Sequence, residues 1–183
     1  MSKILVDTID TRSGTTTLTL GSSNAGTIAL GSGDVQSNFL YPAFEANLGS
    51  DQTISDNSYT KISIGTEVFD SDSKYDASSN YRFTPTIAGK YFVYGSARFE
   101  TDASQMQLGS TAIYKNGSIY AERTIDFRSN NGLQMSVDVS ATIDMDTDDY
   151  VELYGKIFKG GGSVIRILTT NKSTNFGAYR IGT

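Results

Sequence analysis

The sequence predicts an all-β chain folded as a β-sandwich, and three observations carry that reading. The first is a long alternation. Leu133, Met135, Val137, Val139, Ala141, Ile143 and Met145 fall on one parity, and Gln134, Ser136, Asp138, Ser140, Thr142 and Asp144 on the other. A helix would scatter those apolar side chains around its circumference, whereas a strand gathers them on one face. The second is composition: 18 Gly, 11 Tyr and 9 Phe, Asp far in excess of Glu, and only 19% charged residues. Tyr, Phe and Thr favour strands, while Gly, Asn, Asp and Ser favour tight turns. The third is punctuation. Short apolar segments separated by turn clusters recur through the last three quarters of the chain, about ten of them in ~140 residues, which is the rhythm of a sandwich.

Residues 1–41 differ from the rest. They hold no Phe or Tyr before Phe39 and Tyr41, and they are dense in Thr, Ser and Gly. A short apolar segment, Ile4–Ile9, is followed by a ten-residue echo in which Leu18-Thr19-Leu20-Gly21-Ser22 recurs as Ile28-Ala29-Leu30-Gly31-Ser32. Each piece reads as a short β segment ended by a glycine turn, and one copy buries too little apolar area to fold alone. The expectation is a β-rich leader, 1–41, that forms a shaft or attaches the chain to another protein. The plainer reading is a loosely ordered lead-in. A linker is expected at 31–38, and an independent domain at 42–183.

Within 42–183 the expected strands lie near 43–48, 59–64, 66–70, 81–84, 90–99, 108–115, 118–126, 133–145, 150–158, 163–169 and 175–182. Segment 90–99 is apolar on both faces: Tyr91, Val93, Ala97 and Phe99 alternate with Phe92 and Tyr94. One face belongs to the core; the other needs cover, and a neighbouring copy is the simplest source. Asn116-Gly117 marks a tight hairpin turn. Asp146-Thr147-Asp148-Asp149 is expected to join 133–145 to 150–158 as a hairpin.

The residues also exclude functions. The chain has no His and no Cys. It therefore holds no Ser-His-Asp or Cys-His device, no thiolate nucleophile and no imidazole or thiolate zinc site. A carboxylate pair needs neither residue, but the acids cluster in turn-like stretches such as DSDSKYD and DMDTDD, so no enzyme is expected. Gly160-Gly161-Gly162 lacks the helix and Lys of a phosphate loop. A net charge of −5 without a Lys/Arg cluster argues against nucleic acid. The chain has no apolar run of about 18 residues, so membrane insertion by a helix is not expected. Its first residues are too short an apolar stretch and too acidic for a secretory signal. The acidic stretch 144–149 resembles a D-x-D-x-D calcium loop, which makes Asp144, Asp146 and Asp148 the only candidate metal ligands. It lacks the Gly at the sixth position and the Glu at the twelfth, so a solvated acidic turn is the plainer reading, and no other cofactor is expected.

Several segments in register resemble the complement C1q globular head. Phe83-Thr84-Pro85 followed by Ala88-Gly89-Lys90-Tyr91-Phe92 resembles its F-T/x-P…x-G-x-Y-x-F signature. Phe69-Asp70 and Tyr75-Asp76 are similar to upstream positions. Ile113-Tyr114-Lys115-Asn116-Gly117, Asp149-Tyr150-Val151-Glu152-Leu153 and Phe176-Gly177-Ala178-Tyr179-Arg180-Ile181 resemble later ones. The resemblance spans 42–183 and implies a ten-stranded jelly roll of the C1q/TNF type that works as a homotrimer. It places Gly89, Tyr91 and Phe176 in the protomer core, alongside Val137 and Val139, and leaves Phe92, Tyr94 and Tyr179 for the trimer interface. The chain departs from the vertebrate members in having no collagen stalk and no cysteine. Its β leader followed by a head ending FGAYRIGT is similar to virion proteins of tailed phages. That similarity implies a fibre or spike head, or a capsid decoration, made in the host cytoplasm and displayed on the virion surface. The leader would dock on another virion protein, and the head would stabilise the particle or meet a host-surface glycan or protein. The alternatives are a secreted C1q-like ligand or adhesin, and a carbohydrate-binding module.

Overall fold

A computed structural model describes residues 42–103, 105–161 and 164–182. The leader, its repeat and its attachment role lie outside the described residues.

Thirteen strands form among the described residues: β1 (Ala43–Asn47), β2 (Gln52–Thr53), β3 (Thr60–Lys61), β4 (Thr66–Asp70), β5 (Tyr75–Asp76), β6 (Arg82–Phe83), β7 (Gly89–Thr101), β8 (Met106–Lys115), β9 (Ser118–Asp126), β10 (Gln134–Met145), β11 (Val151–Lys159), β12 (Ile165–Ile167) and β13 (Asn175–Gly182). One 3-10 turn, Thr170–Lys172, is the only helical element among them. No helix of the described residues is long and apolar enough to cross a membrane. The count exceeds ten because β2, β3, β5 and β6 are two-residue pairings; β3 and β6 fall within the expected segments 59–64 and 81–84, while β2 and β5 are too short to leave a period in the sequence.

The strands pair antiparallel into two sheets. The seven-stranded sheet runs β2-β12-β7-β13-β1-β4, with β10 on the other edge of β7. The six-stranded sheet runs β5-β6-β11-β8-β9, with β3 also on β11. One expectation is corrected here. β10 pairs with β7 and β11 with β8, so Asp146–Asp149 is not a hairpin turn but a crossover from one sheet to the other. Alternation says which face a strand buries; it does not say which strand lies beside it. The β8–β9 hairpin does turn at Asn116-Gly117. Both residues have positive φ, 51° and 79°, as a tight two-residue turn of the primed type requires.

The core lies between the sheets. β10 buries Met135, Val137, Val139, Ile143 and Met145, while Ala141 is half-buried and Leu133, just before the strand, is exposed. β7 buries Tyr91, Val93, Ala97 and Phe99 from the opposite edge of the same pairing. At one end Phe44 stacks on Tyr75 at 4.4 Å and on Phe83 at 4.7 Å, and meets the edge of Phe176 at 5.2 Å. Each such ring, wholly removed from water, contributes about 1.5–3 kcal/mol by burial alone. Two of the motif acids are loop organisers. Asp70 accepts from the Tyr75 amide at 2.7 Å, and Asp76 accepts from the amides of Ser78, Ser79 and Asn80. The Ser79 and Ser78 amides hold the Asp76 carboxyl well below the usual carboxylate range.

Candidate functional site

Sheet register places the expected interface aromatics on the outer face of the seven-stranded sheet, in two adjacent rows. One row reads Ala43, Tyr179, Phe92, Thr142 across β1, β13, β7 and β10. The next reads Phe69, Glu45, Gly177, Tyr94, Ser140 across β4, β1, β13, β7 and β10. Phe92 lies 5.5 Å from Tyr179 and 6.1 Å from Tyr94, ring centre to ring centre, and all three are half-buried. The parity of 90–99 points Phe92 and Tyr94 away from the core; Tyr179 joins them only because β13 pairs with β7.

Tyr94 does not stand up from the sheet. It lies flat across β13, and a Cβ on Gly177 would sit 2.5 Å from its Cζ, so only glycine admits this pose. Its hydroxyl donates to Glu45 Oε2 at 3.0 Å. Burial, reinforced by the Glu45 carboxylate, pushes the Tyr94 phenol up to about 12. The result is a flat aromatic patch flanked by exposed Val68 and Phe69 on the edge strand β4. Further apolar side chains, Ile119, Tyr120 and Ile125, are exposed on β9, where the Tyr120 hydroxyl donates to Thr142 O of β10 at 3.2 Å, and Leu133 is exposed just before β10.

The residues expected in the protomer core are inside. Tyr91, Phe176, Val137 and Val139 are buried, with the Tyr91 hydroxyl donating to Ile87 O at 2.6 Å. Gly89 is buried at φ 148°, where a side chain would collide with Gly182 O.

The candidate calcium ligands do not converge. Asp144, Asp146 and Asp148 are exposed, and no group of three or more acidic side chains gathers among the described residues to hold a metal. The carboxylate that turns inward is Asp149. The Lys115 ammonium sits 2.8 Å from Asp149 Oδ2 and donates to Asp144 O at 2.7 Å. Asn116 Nδ2 and the Asp146 amide donate to the same carboxylate at 2.6 and 2.8 Å. Burial pushes the Asp149 carboxyl up, but Lys115, the Asp146 amide and Asn116 outweigh it and hold the group below its ordinary value. The chain's own ammonium supplies the positive charge to this turn. Lys115-Asn116 is a hairpin signature in the sequence, but nothing in the spacing joins Asn116 to an acid 33 residues on.

A second aromatic cluster escaped the sequence reading. On the outer face of the six-stranded sheet Tyr114 stacks on Tyr154 at 3.9 Å and meets the edge of Tyr59 at 6.0 Å. The ring of Tyr59 carries the Lys156 ammonium at 4.4 Å, and that of Tyr150 the Arg82 guanidinium at 4.6 Å. Tyr59 also donates to Glu122, and Lys61 pairs with Glu152 at 2.6 Å.

No protein-family model matches the chain, and no curated protein matches it. Among solved structures it is similar to the globular domain of zebrafish complement 1qA protein, with a TM-score of 0.53, 12% identity, and coverage of 76% of this chain and 97% of that chain. It is also similar to murine APRIL, with a TM-score of 0.54, 9% identity, and coverage of 75% of this chain and 97% of that one. At such identities the likeness is one of fold: an all-β, C1q/TNF-like jelly roll of two antiparallel sheets.

Proposed function

We propose that this chain is a non-catalytic, homotrimeric surface module of a phage virion, a fibre or spike head or a capsid decoration. The observation that carries the assembly is the presence of two different exposed apolar surfaces on one domain. One is the aromatic patch of Phe92, Tyr94 and Tyr179; the other is the β9 flank with Ile119, Tyr120 and Ile125. Two unlike surfaces favour a heterologous contact, which closes into a ring when the rotation permits. The resemblance to C1q heads supplies the number three. The contact would cover the half-buried aromatics with a neighbour's aliphatic side chains, removing the patch from water.

The virion assignment rests on the pairing of a Thr/Gly-rich leader with such a head, and on no measured property of the fold. The leader attaches the head to another virion protein, and the head faces outward, toward a host-surface glycan or protein. The fold likeness is equally compatible with a secreted C1q-like ligand. Mass spectrometry of purified particles decides between them: this chain present in stoichiometric amounts supports the virion reading, and its recovery only in culture fluid contradicts it.

The absence of His and Cys, together with an ammonium-paired acidic turn, supports a module without hydrolytic chemistry. Turnover of a host polysaccharide, peptide or ester that disappears on a single Asp→Asn change would overturn that part.

A further inference from the structure

Covering the aromatic patch with a neighbouring copy leaves one charge to account for. Glu45 shares a row with Phe69, Gly177 and Tyr94, so its side chain stands on the outer face among the rings, half-buried. Its Oε2 accepts from the Tyr94 hydroxyl at 3.0 Å, and a phenol donates without cancelling the charge. No Lys or Arg among the described residues forms a salt bridge with it. On an isolated copy, water solvates the remaining carboxylate oxygen. Beneath a neighbour's aliphatic side chains that water is gone, and a carboxylate buried without an opposite charge is strongly unfavourable.

The β9 flank that would cover the rings carries the matching charge. Register puts Arg123 and Ile125 on one face of β9, opposite Thr111 and Gly109, and both are exposed. Arg123 is the only cation of that strand. Its guanidinium donates to the backbone oxygen of Glu122 at 2.9 Å, and no acid among the described residues pairs with it. Asp138 lines the same hollow beside β10, yet the two are not bonded. Nor can the flank serve its own Glu45. The Tyr120 hydroxyl ties β9 to β10, and β7 and β13 lie between β10 and β1. β1 and β10 are therefore three strand spacings apart, roughly 14 Å. Each copy thus offers an anion without a cation on one surface and a cation without an anion on another.

We propose that Arg123 of one copy pairs with Glu45 of the next, as a hydrogen-bonded ion pair inside the contact between copies. Tyr94 holds Oε2 of the carboxylate, which leaves Oε1 for the guanidinium. Ile119 and Ile125 on the same strand would lie over the rings around it. Every copy gives one Arg123 and takes one through Glu45, so a heterologous ring of three closes with no charge left over. The pair fixes which flank meets which face, because a flank docked in another register leaves Glu45 buried and unpaired. The proposal rests on the trimeric reading above and names the two side chains that set its register.

The test is light scattering of the full chain over a dilution series, with far-UV circular dichroism on the same samples. Glu45→Arg and Arg123→Glu each set like charges face to face, and each should dissociate the assembly at concentrations where the parent is trimeric. The double swap, Glu45→Arg with Arg123→Glu, should restore it. Glu45→Gln keeps an acceptor for Tyr94 but removes the charge. It should raise the concentration needed for assembly by about thirtyfold or more, the loss expected when one partner of a buried charge pair is removed. A neutral pair, Glu45→Gln with Arg123→Gln, should assemble better than Arg123→Gln alone, because no carboxylate is then left unpaired. The circular dichroism should be the same throughout. Rescue in either double variant supports the proposal. Single swaps that stay trimeric overturn it and leave the trimer standing, as does failure of both double variants to improve on their singles. A monomeric parent overturns the trimer and the pair together.

Discussion

The two outer faces of the sandwich carry comparable sets of aromatic rings and treat them differently. On the six-stranded sheet the rings are closed within the chain. Tyr114 and Tyr154 cover each other at 3.9 Å, Lys156 lies over Tyr59, Arg82 lies over Tyr150, and Ser110 and Ala112 beneath are wholly buried. On the seven-stranded sheet Phe92, Tyr94 and Tyr179 have one another, and Tyr94 has the Glu45 carboxylate. A cation over a ring face contributes about 0.5–1 kcal/mol at exposed sites and shields that face from a partner. Tyrosine content therefore does not mark an interface. What marks it is whether the same chain has already covered the ring.

The largest expected effect lies beneath both faces. Phe44→Ala removes the ring that Tyr75, Phe83 and Phe176 pack against. It should cost about 3–5 kcal/mol of folding stability in urea titration. A cost below about 1 kcal/mol would mean that the sheets do not share this core.

The comparison itself is broken or sharpened by one substitution on each face. Phe92→Asp places an unpaired charge in the proposed interface and should dissociate the assembly while far-UV circular dichroism stays unchanged. Tyr154→Ala, on the closed face, should lower stability by about 1–2 kcal/mol by losing the Tyr114 stack, and should leave the assembly mass alone. If Tyr154→Ala dissociates the assembly and Phe92→Asp does not, the faces have been assigned the wrong way round.

The smallest effect concerns the crossover turn. The Asp149 carboxyl lies below its ordinary 3.8 because Lys115 and two N–H donors outweigh its burial. A carboxyl depressed in the folded state contributes stability that is present above its unfolded pKa and is lost as pH falls through the folded one. Lys115→Met should therefore cost about 1 kcal/mol near neutral pH. The difference from the parent chain should shrink as the pH falls below the ordinary 3.8 and through the lowered value of the folded state. A difference that stays constant from pH 7 to pH 2 would show that the pair contributes nothing.

How far these features were legible in the sequence depends on the length of the pattern that carries each. The alternation of β10 and the doubly apolar β7 were readable because each runs for twelve residues or more. Of the two-residue strands, β3 and β6 fall within the expected segments 59–64 and 81–84, whereas β2 and β5 were not readable, since a pair has no period. The face of β11 is readable from Val151, Leu153 and Ile157, but its partner is not, because an acidic four-residue turn looks the same whether it closes a hairpin or crosses between sheets. Phe92 and Tyr94 could be assigned to an outer face by parity. Tyr179 reached them only through the β13–β7 pairing, 87 positions apart at Phe92↔Tyr179, which no local pattern encodes.

The central claim is that the open aromatic face is covered by a second and third copy of the chain. Light scattering of the full chain at micromolar concentration tests it most directly. The account predicts the mass of three 19.8 kDa chains, falling to one for Phe92→Asp. A parent chain with the mass of a single copy at that concentration would contradict it.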